Sequence, residues 1–416
     1  MLALLLIIVI FTAFRRPGIT LALILNINNV KALFTNAGHP IQYDLLENSV
    51  AFGVVTPALF FIILIFRLNK KSFLKYRLDI FDLFFTFLFL NICGILLFSS
   101  NFQENFFEAS KIIFLGAPYY FIIKLFLLNS EDITKTLIRD FFITVIILSL
   151  IMSVMACYFY VTTDFIALQG YQMVQLTYPG VYVIPFSQMV GLGILGSFFL
   201  LYYDPNLKKK WLIIIIAIFL LIILLLTKNR GNQLSFIISA LLFANIIFRE
   251  KISRKTFGRI LLITSAFIII ILQNPEISTK LFSRIIRVLE DKSILDRIES
   301  YQISFQVIKE NIFGIGFNSF NDYYYLDYVH NLLLEIVVFF GLPGVLLAVI
   351  LIAIFMGLLI FKKNKENTYL NIAIILFVYH FIEAQFSYTL WMQKGLFLSM
   401  AFLSVFSKYF RNEKTL

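Results

Sequence analysis

The chain has 416 residues, of which 60% are hydrophobic and 14% charged, whereas soluble domains run nearer about 45–50% apolar and about 25% charged. The excess excludes a soluble single-core protein, because it falls in uncharged blocks such as Trp211–Leu226 instead of being spread through the chain. The net charge of +11 does not point to a nucleic-acid partner, since the basic residues gather in short linkers between apolar blocks, the pattern that sets membrane orientation.

A bilayer core about 30 Å thick is crossed by roughly 20 apolar helical residues, and helices pair their own backbone groups where no water can. Hydropathy predicts spans near 1–14, 19–35, 47–66, 79–98, 110–128, 141–163, 185–203, 211–226, 232–248, 258–272, 331–361, 369–387 and 391–408. The expected fold is therefore all-α, a polytopic integral membrane protein of about 11–13 transmembrane helices. Residues 1–14 lack the basic flank and small-residue cleavage site of a signal peptide and read as a first helix or a remnant of one. Cys93 and Cys157 lie inside apolar blocks and read as small buried residues.

Lys and Arg crowd linkers 67–77, 129–140, 204–210, 249–259 and 362–365 and the C-terminal tail, while 99–109 and 164–184 contain none. If the spans alternate, every basic linker falls on one side, which the positive-inside rule makes cytoplasmic. The C-terminus is then cytoplasmic, and 227–231, 273–329 and 386–390 face outward. An odd number of spans leaves the N-terminus outside.

The layout divides into a bundle over 1–272, one large extracytoplasmic loop over 273–329, and C-terminal helices with a short tail over 330–416. So long a connection is expected to be functional or disordered, and its periodicity favours structure. Leu281, Ile285, Val288 and Leu289 form one helical stripe, and Ile298, Tyr301, Phe305 and Ile308 a second. Two amphipathic helices lying on the bundle are predicted. The chain carries no internal repeat of the kind that marks many transporters.

Three outward features could carry chemistry. Arg230, in the tight connection Thr227–Gly231, offers a guanidinium fork suited to phosphate oxygens, or else anchors a helix at the interface. The loop brings Arg284, Arg287 and Arg297, the first two readable as the solvated face of a helix. With six Lys/Arg against eight Asp/Glu, the loop is no polybasic lipid patch. His330 stands where the loop enters the next span and can exchange a proton near neutral pH; the plainer reading is a cap-like interfacial residue. Asn331 and Glu335 share a helix face beyond it, and a glutamate at that depth needs a partner. His380 and Glu383 suggest an internal pair. Zinc spacings, a Walker loop, a nucleophile elbow and Cys/His nucleophile pairs are not visible in the sequence, and neither a metal nor another cofactor is predicted.

In order and spacing, Thr227–Gly231, Arg297, the run Asn311–Phe320, His330-Asn331 with Leu334-Glu335, and the Gly341/Gly344 pair resemble the O-antigen ligase and O-antigen polymerase family of bacterial membrane glycosyltransferases. The resemblance covers about 220–345. It implies a GT-C-like fold in the bacterial inner membrane and metal-independent, inverting transfer of a glycan from undecaprenyl diphosphate to an acceptor hydroxyl on the outer face. It gives Arg230 and Arg297 the leaving diphosphate, His330 the acceptor's proton, and Asn331 or Glu335 the imidazole. Arg284, Arg287 and Tyr324, one of the tyrosines 323–325 and 328, would help hold substrate; Gly314 and Gly316 would permit a close turn. Expected partners are the lipid-linked glycans, membrane lipids, and a chain-length regulator and flippase of the same pathway.

Within that resemblance a polymerase of lipid-linked repeat units for O-antigen, capsule or exopolysaccharide is the first reading. A ligase moving finished polysaccharide onto lipid A core is the second. A flippase is a third, disfavoured because the arginines cluster at one face and not in a central cavity.

Overall fold

Long runs of Leu, Ile and Phe with few breakers leave the backbone one economical solution in lipid, and the chain takes it. The computed structural model describes residues 2–35, 44–98, 101–129, 131–162, 176, 183–203, 209–250, 292–317, 320–323, 329–360, 368–387 and 389–409, and every regular element among them is helical. In chain order these are α1 Leu2–Arg15, α2 Pro17–Leu25, α3 Ile27–Thr35, α4 Asp44–Phe66, α5 Lys70–Lys75, α6 Ile80–Phe98, α7 Phe102–Lys111, α8 Pro118–Leu127 and α9 Glu131–Thr162. There follow α10 Val183–Tyr203, α11 Lys210–Leu226, α12 Arg230–Glu250, α13 Lys292–Glu310, α14 Leu332–Phe340, α15 Leu342–Ile360, α16 Thr368–Glu383 and α17 Lys394–Tyr409.

Five stretches are long and apolar enough to cross a bilayer: Ile80–Phe98, Phe102–Leu127, Thr134–Phe159, Val183–Tyr202 and Leu342–Leu359. Shorter apolar helices include Gly53–Phe66, Lys210–Leu226 and Thr368–Glu383. On α15, Leu342, Leu346, Val349, Ile352, Met356 and Leu359 are exposed at helical spacing, as a lipid-facing stripe requires and a soluble protein avoids. The chain is an all-α, multi-pass membrane protein.

Two compact units divide the chain. The first comprises 1–78, 113–236 and 397–416. In it α9 packs along α2 and α10, and α10 along α11. At the α9–α10 crossing a side chain on Gly193 would place its Cβ 2.6 Å from Ser149 Oγ, and Ser149 Oγ instead donates to Met189 O at 2.8 Å. Small residues at a helix crossing are how membrane helices approach closely. Arg16 Nη1 donates to both carboxylate oxygens of Asp140 at 3.2 Å, tying α2's start to α9.

The second unit comprises 79–112 and 237–396. Here α14 packs on α15 and α13, and α15 on α6 and α16, with Phe355 and Phe381 stacked at 4.5 Å between ring centres.

Three predicted boundaries are sharpened. The block 19–35 is two helices parted at Asn26, the linker 99–109 is largely α7, and the block 331–361 breaks at Gly341 into α14 and α15. The last break has a local cause. Gly341 has φ +63° and Gly314 φ +82°; a Cβ on Gly341 would lie 2.1 Å from Ile312 O and one on Gly314 2.3 Å from Phe339 O. With no side chains between them, Ile315 N and Gly316 N reach Val338 O and Phe339 O at 3.1 Å, and Leu342 N reaches Ile312 O at 2.7 Å. The segment 311–316 thus satisfies carbonyls that the end of α14 leaves open. Gly314 does serve a close turn.

Candidate functional site

Lys292–Glu310 form the helix α13, and the face it buries is built on small polar residues. Ser300, Ser304 and Val307 are buried, whereas Ile298 and Phe305 are 45% and 59% exposed. Small side chains on the buried face let the backbone of α13 come close to its neighbours. Ser304 Oγ bonds back to Ser300 O at 2.7 Å, so its hydroxyl is satisfied within the helix, and Ser300 Oγ lies 3.5 Å from Val329 O. Arg297 stands three residues before Ser300 and so continues the serine face. That face carries Arg297 to His330.

His330 has φ +59°, a conformation to which His is more tolerant than most side chains but which still costs free energy. Burial, and after it the positive charge of Arg297, push its imidazole down to about 4, so the ring is neutral at pH 7.

Asn331 caps α14: its Oδ1 accepts from Leu334 N at 3.0 Å, and its Nδ2 lies 3.5 Å from Gln385 O. Leu332 N donates to Ala384 O at 3.1 Å. Glu335 is fully buried; its Oε1 accepts from Thr389 Oγ1 and, at 3.0 Å, from Leu390 N. Its Oε2 has no hydrogen-bond partner among the described residues. The hydrogen bonds of Asn331 and Glu335 thus tie the start of α14 to Gln385, Thr389 and Leu390. His380 and Glu383 are both buried in α16, with Glu383 Oε1 accepting from Ser387 Oγ at 2.6 Å.

In the other unit, Arg230 is the first residue of α12, in a turn built in the same way. Lys228 has φ +54°, and Asn229 Oδ1 accepts from Asn232 N at 3.2 Å. Gln233 Nε2 donates back to Leu224 O and Leu225 O at 3.1 and 3.2 Å, closing the connection. Asn232 Nδ2 reaches Ile184 O at 3.0 Å and Ser187 Oγ at 2.6 Å, fixing α12's first turn against α10.

The candidate residues Arg284, Arg287 and Tyr324, with the predicted first loop helix, lie outside the described residues. Among the described residues no cluster of three or more His, Cys, Asp or Glu side chains could hold a metal ion. Residues that sequence reasoning missed include Thr389 and Leu390, which meet Glu335, and Asn105, whose Oδ1 accepts from Phe317 N at 2.6 Å. The only hint of Asn105 was its place in a linker without Lys or Arg.

Residues 215–349 match the family model described as O-antigen ligase, about a third of the chain. The matched stretch contains Arg230, Arg297, His330, Asn331 and Glu335, and supports the O-antigen ligase/polymerase family. No curated protein matches the chain.

Proposed function

We propose, with the O-antigen ligase match over 215–349 as premise, that the chain is an inner-membrane polysaccharide polymerase. It joins repeat units carried on polyprenyl diphosphate, at the outer membrane face. The observation that carries the reading is the corner at the start of α14, where His330, held at positive φ and partly buried, lies in the field of the Arg297 guanidinium.

The chemistry follows from that pair. An acceptor hydroxyl oxygen attacks the donor's anomeric carbon, the bond from that carbon to the diphosphate oxygen breaks, and inversion results. The hydroxyl proton passes to His330, which is able to take it because it starts neutral. The electron pair leaves with the diphosphate, and Arg297 stabilises that growing anion, the role that the sequence resemblance gives to Arg230 as well. Arg297 couples the two events: alone it opposes an imidazolium, but as diphosphate charge grows beside it that opposition is cancelled. Proton affinity at His330 therefore rises as the leaving group departs. Asn331 and Glu335 position the helix start that carries His330, and Arg284, Arg287 and Tyr324 belong to the substrate-binding surface of the loop. A lipid-linked donor keeps its chain in the bilayer, which suits reacting groups at helix ends.

The second reading, transfer of finished polysaccharide to lipid A core, rests on the same family match, which supports both readings alike. Glycan banding in a deletion strain separates the two. A polymerase predicts loss of the ladder with one repeat retained on lipid A core; bare core with long lipid-linked chains accumulating rejects it in favour of the ligase. Repeat units trapped on the cytoplasmic side in a His330→Ala strain would reject both and favour a flippase.

A further inference from the structure

Within the second unit α6 turns Phe87, Asn91, Gly94 and Phe98 toward residues 311–316 and 322–323, and together they line a cleft of about 1120 Å³. An asparagine within an apolar span is costly unless it is used. Asn91 Nδ2 donates to Phe87 O at 2.7 Å, and Asn311 Nδ2 donates to Val307 O at 3.1 Å. The Oδ1 atoms of both, and the carboxylate of Asp322, have no hydrogen-bond partner among the described residues. The polar wall of the cleft thus offers free acceptor oxygens beside neutral donors only, and among the described residues that line it none is Lys, Arg or His.

That donor-poor wall selects its ligand. A phosphate or diphosphate would face a carboxylate and bare carbonyl oxygens with nothing to neutralise it. A saccharide brings hydroxyl donors that those acceptors lack. Aromatic faces complete the fit: Phe98 and Phe313 are 89% and 83% exposed, and Tyr323 44%, presenting apolar plates against which the C–H face of a sugar ring packs.

We infer that this cleft binds the uncharged, non-reducing sugar end of a lipid-linked glycan, whose diphosphate and lipid chain lie outside it. Resting on the proposed function, it is the seat of the acceptor glycan, distinct from the diphosphate site at His330 and Arg297.

The test reads binding without turnover. Tyr323→Trp, with Trp211 and Trp391 replaced by Phe, gives a fluorescent reporter in the full chain reconstituted in lipid nanodiscs. It is titrated with dodecyl maltoside, dodecyl phosphate and dodecanol, each against empty nanodiscs. Saturable binding of the maltoside is expected, uncompeted by dodecyl phosphate. Asn91→Leu and Asp322→Ala should each weaken it about fivefold, the worth of one hydrogen bond. Gly94→Phe should weaken it more than about tenfold by filling the cleft; a Cβ there meets nothing within 4 Å, and an unchanged thermal unfolding midpoint checks that the variant is folded. Equal binding of dodecanol or dodecyl phosphate, or maltoside binding that survives Gly94→Phe, overturns the inference. Maltoside binding in a chain that transfers no glycan keeps the cleft and removes the proposed function. Transfer without maltoside binding does the reverse.

Discussion

Two turns in this molecule are built alike and carry different chemistry. Lys228-Asn229-Arg230 and His330-Asn331-Leu332 each place a left-handed residue, then an asparagine whose Oδ1 caps the third residue of the following helix. Among the described residues, Lys228 and His330 are the two non-glycine residues with positive φ. Glycine would serve either backbone with less strain. At the first turn the strained residue is a spacer and the cation follows on the helix. At the second the strained residue is itself the imidazole, aimed by the turn and flanked by Arg297. Strain of this kind concentrates at functional sites, and the comparison separates a turn that positions a neighbour from one that positions itself.

The largest expected effect is on chemistry at the second turn. His330→Ala should slow chain growth by about 10²–10⁴-fold, the usual worth of a general base, measured on reconstituted protein with lipid-linked repeat units. Arg297→Ala should cost about 10²-fold or more, and it should also move a pH limb. In the wild type the acid limb of kcat/KM is expected near 4, where His330 titrates, because burial and Arg297 both disfavour the protonated ring. Removing Arg297 should raise that limb toward 6.5. The matching stability term runs the same way: unfolded His binds its proton first, so stability falls as pH drops from about 6.5 to 4. A limb that stays put in the Arg297 variant would break the coupling.

Next comes the brace behind the corner. Glu335→Ala should destabilise the protein by about 1–3 kcal/mol, since Thr389 and Leu390 lose a buried acceptor. Glu335→Gln, which keeps a carbonyl oxygen, should lose less; thermal unfolding in detergent reads both. The smallest effects test the shared architecture: Asn229→Ala and Asn331→Ala should each cost about 1 kcal/mol for a lost cap.

Much of this was legible in the sequence for identifiable reasons. Uninterrupted apolar blocks disclosed the membrane fold, and the 3.6-residue period of Ile298, Tyr301, Phe305 and Ile308 located α13. The buried Ser300–Ser304 face, which carries Arg297, has no hydrophobic signal. His330, Asn331 and Glu335 were visible as polar residues at a span's edge. Their partners at 384–390 were not, being about fifty residues distant, and neither was Asn105, which meets Phe317 across 212 positions.

The central claim is that the imidazole, and not the turn, does the work at residue 330. Comparing His330→Gly with Lys228→Gly tests it most directly, because glycine relieves the same backbone strain at both sites and should stabilise each by about 1 kcal/mol. Chain-growth rates in proteoliposomes should then diverge: Lys228→Gly stays near wild type, while His330→Gly, equally or better folded, loses at least about 10²-fold. A His330→Gly protein that builds polymer at the wild-type rate would contradict the account.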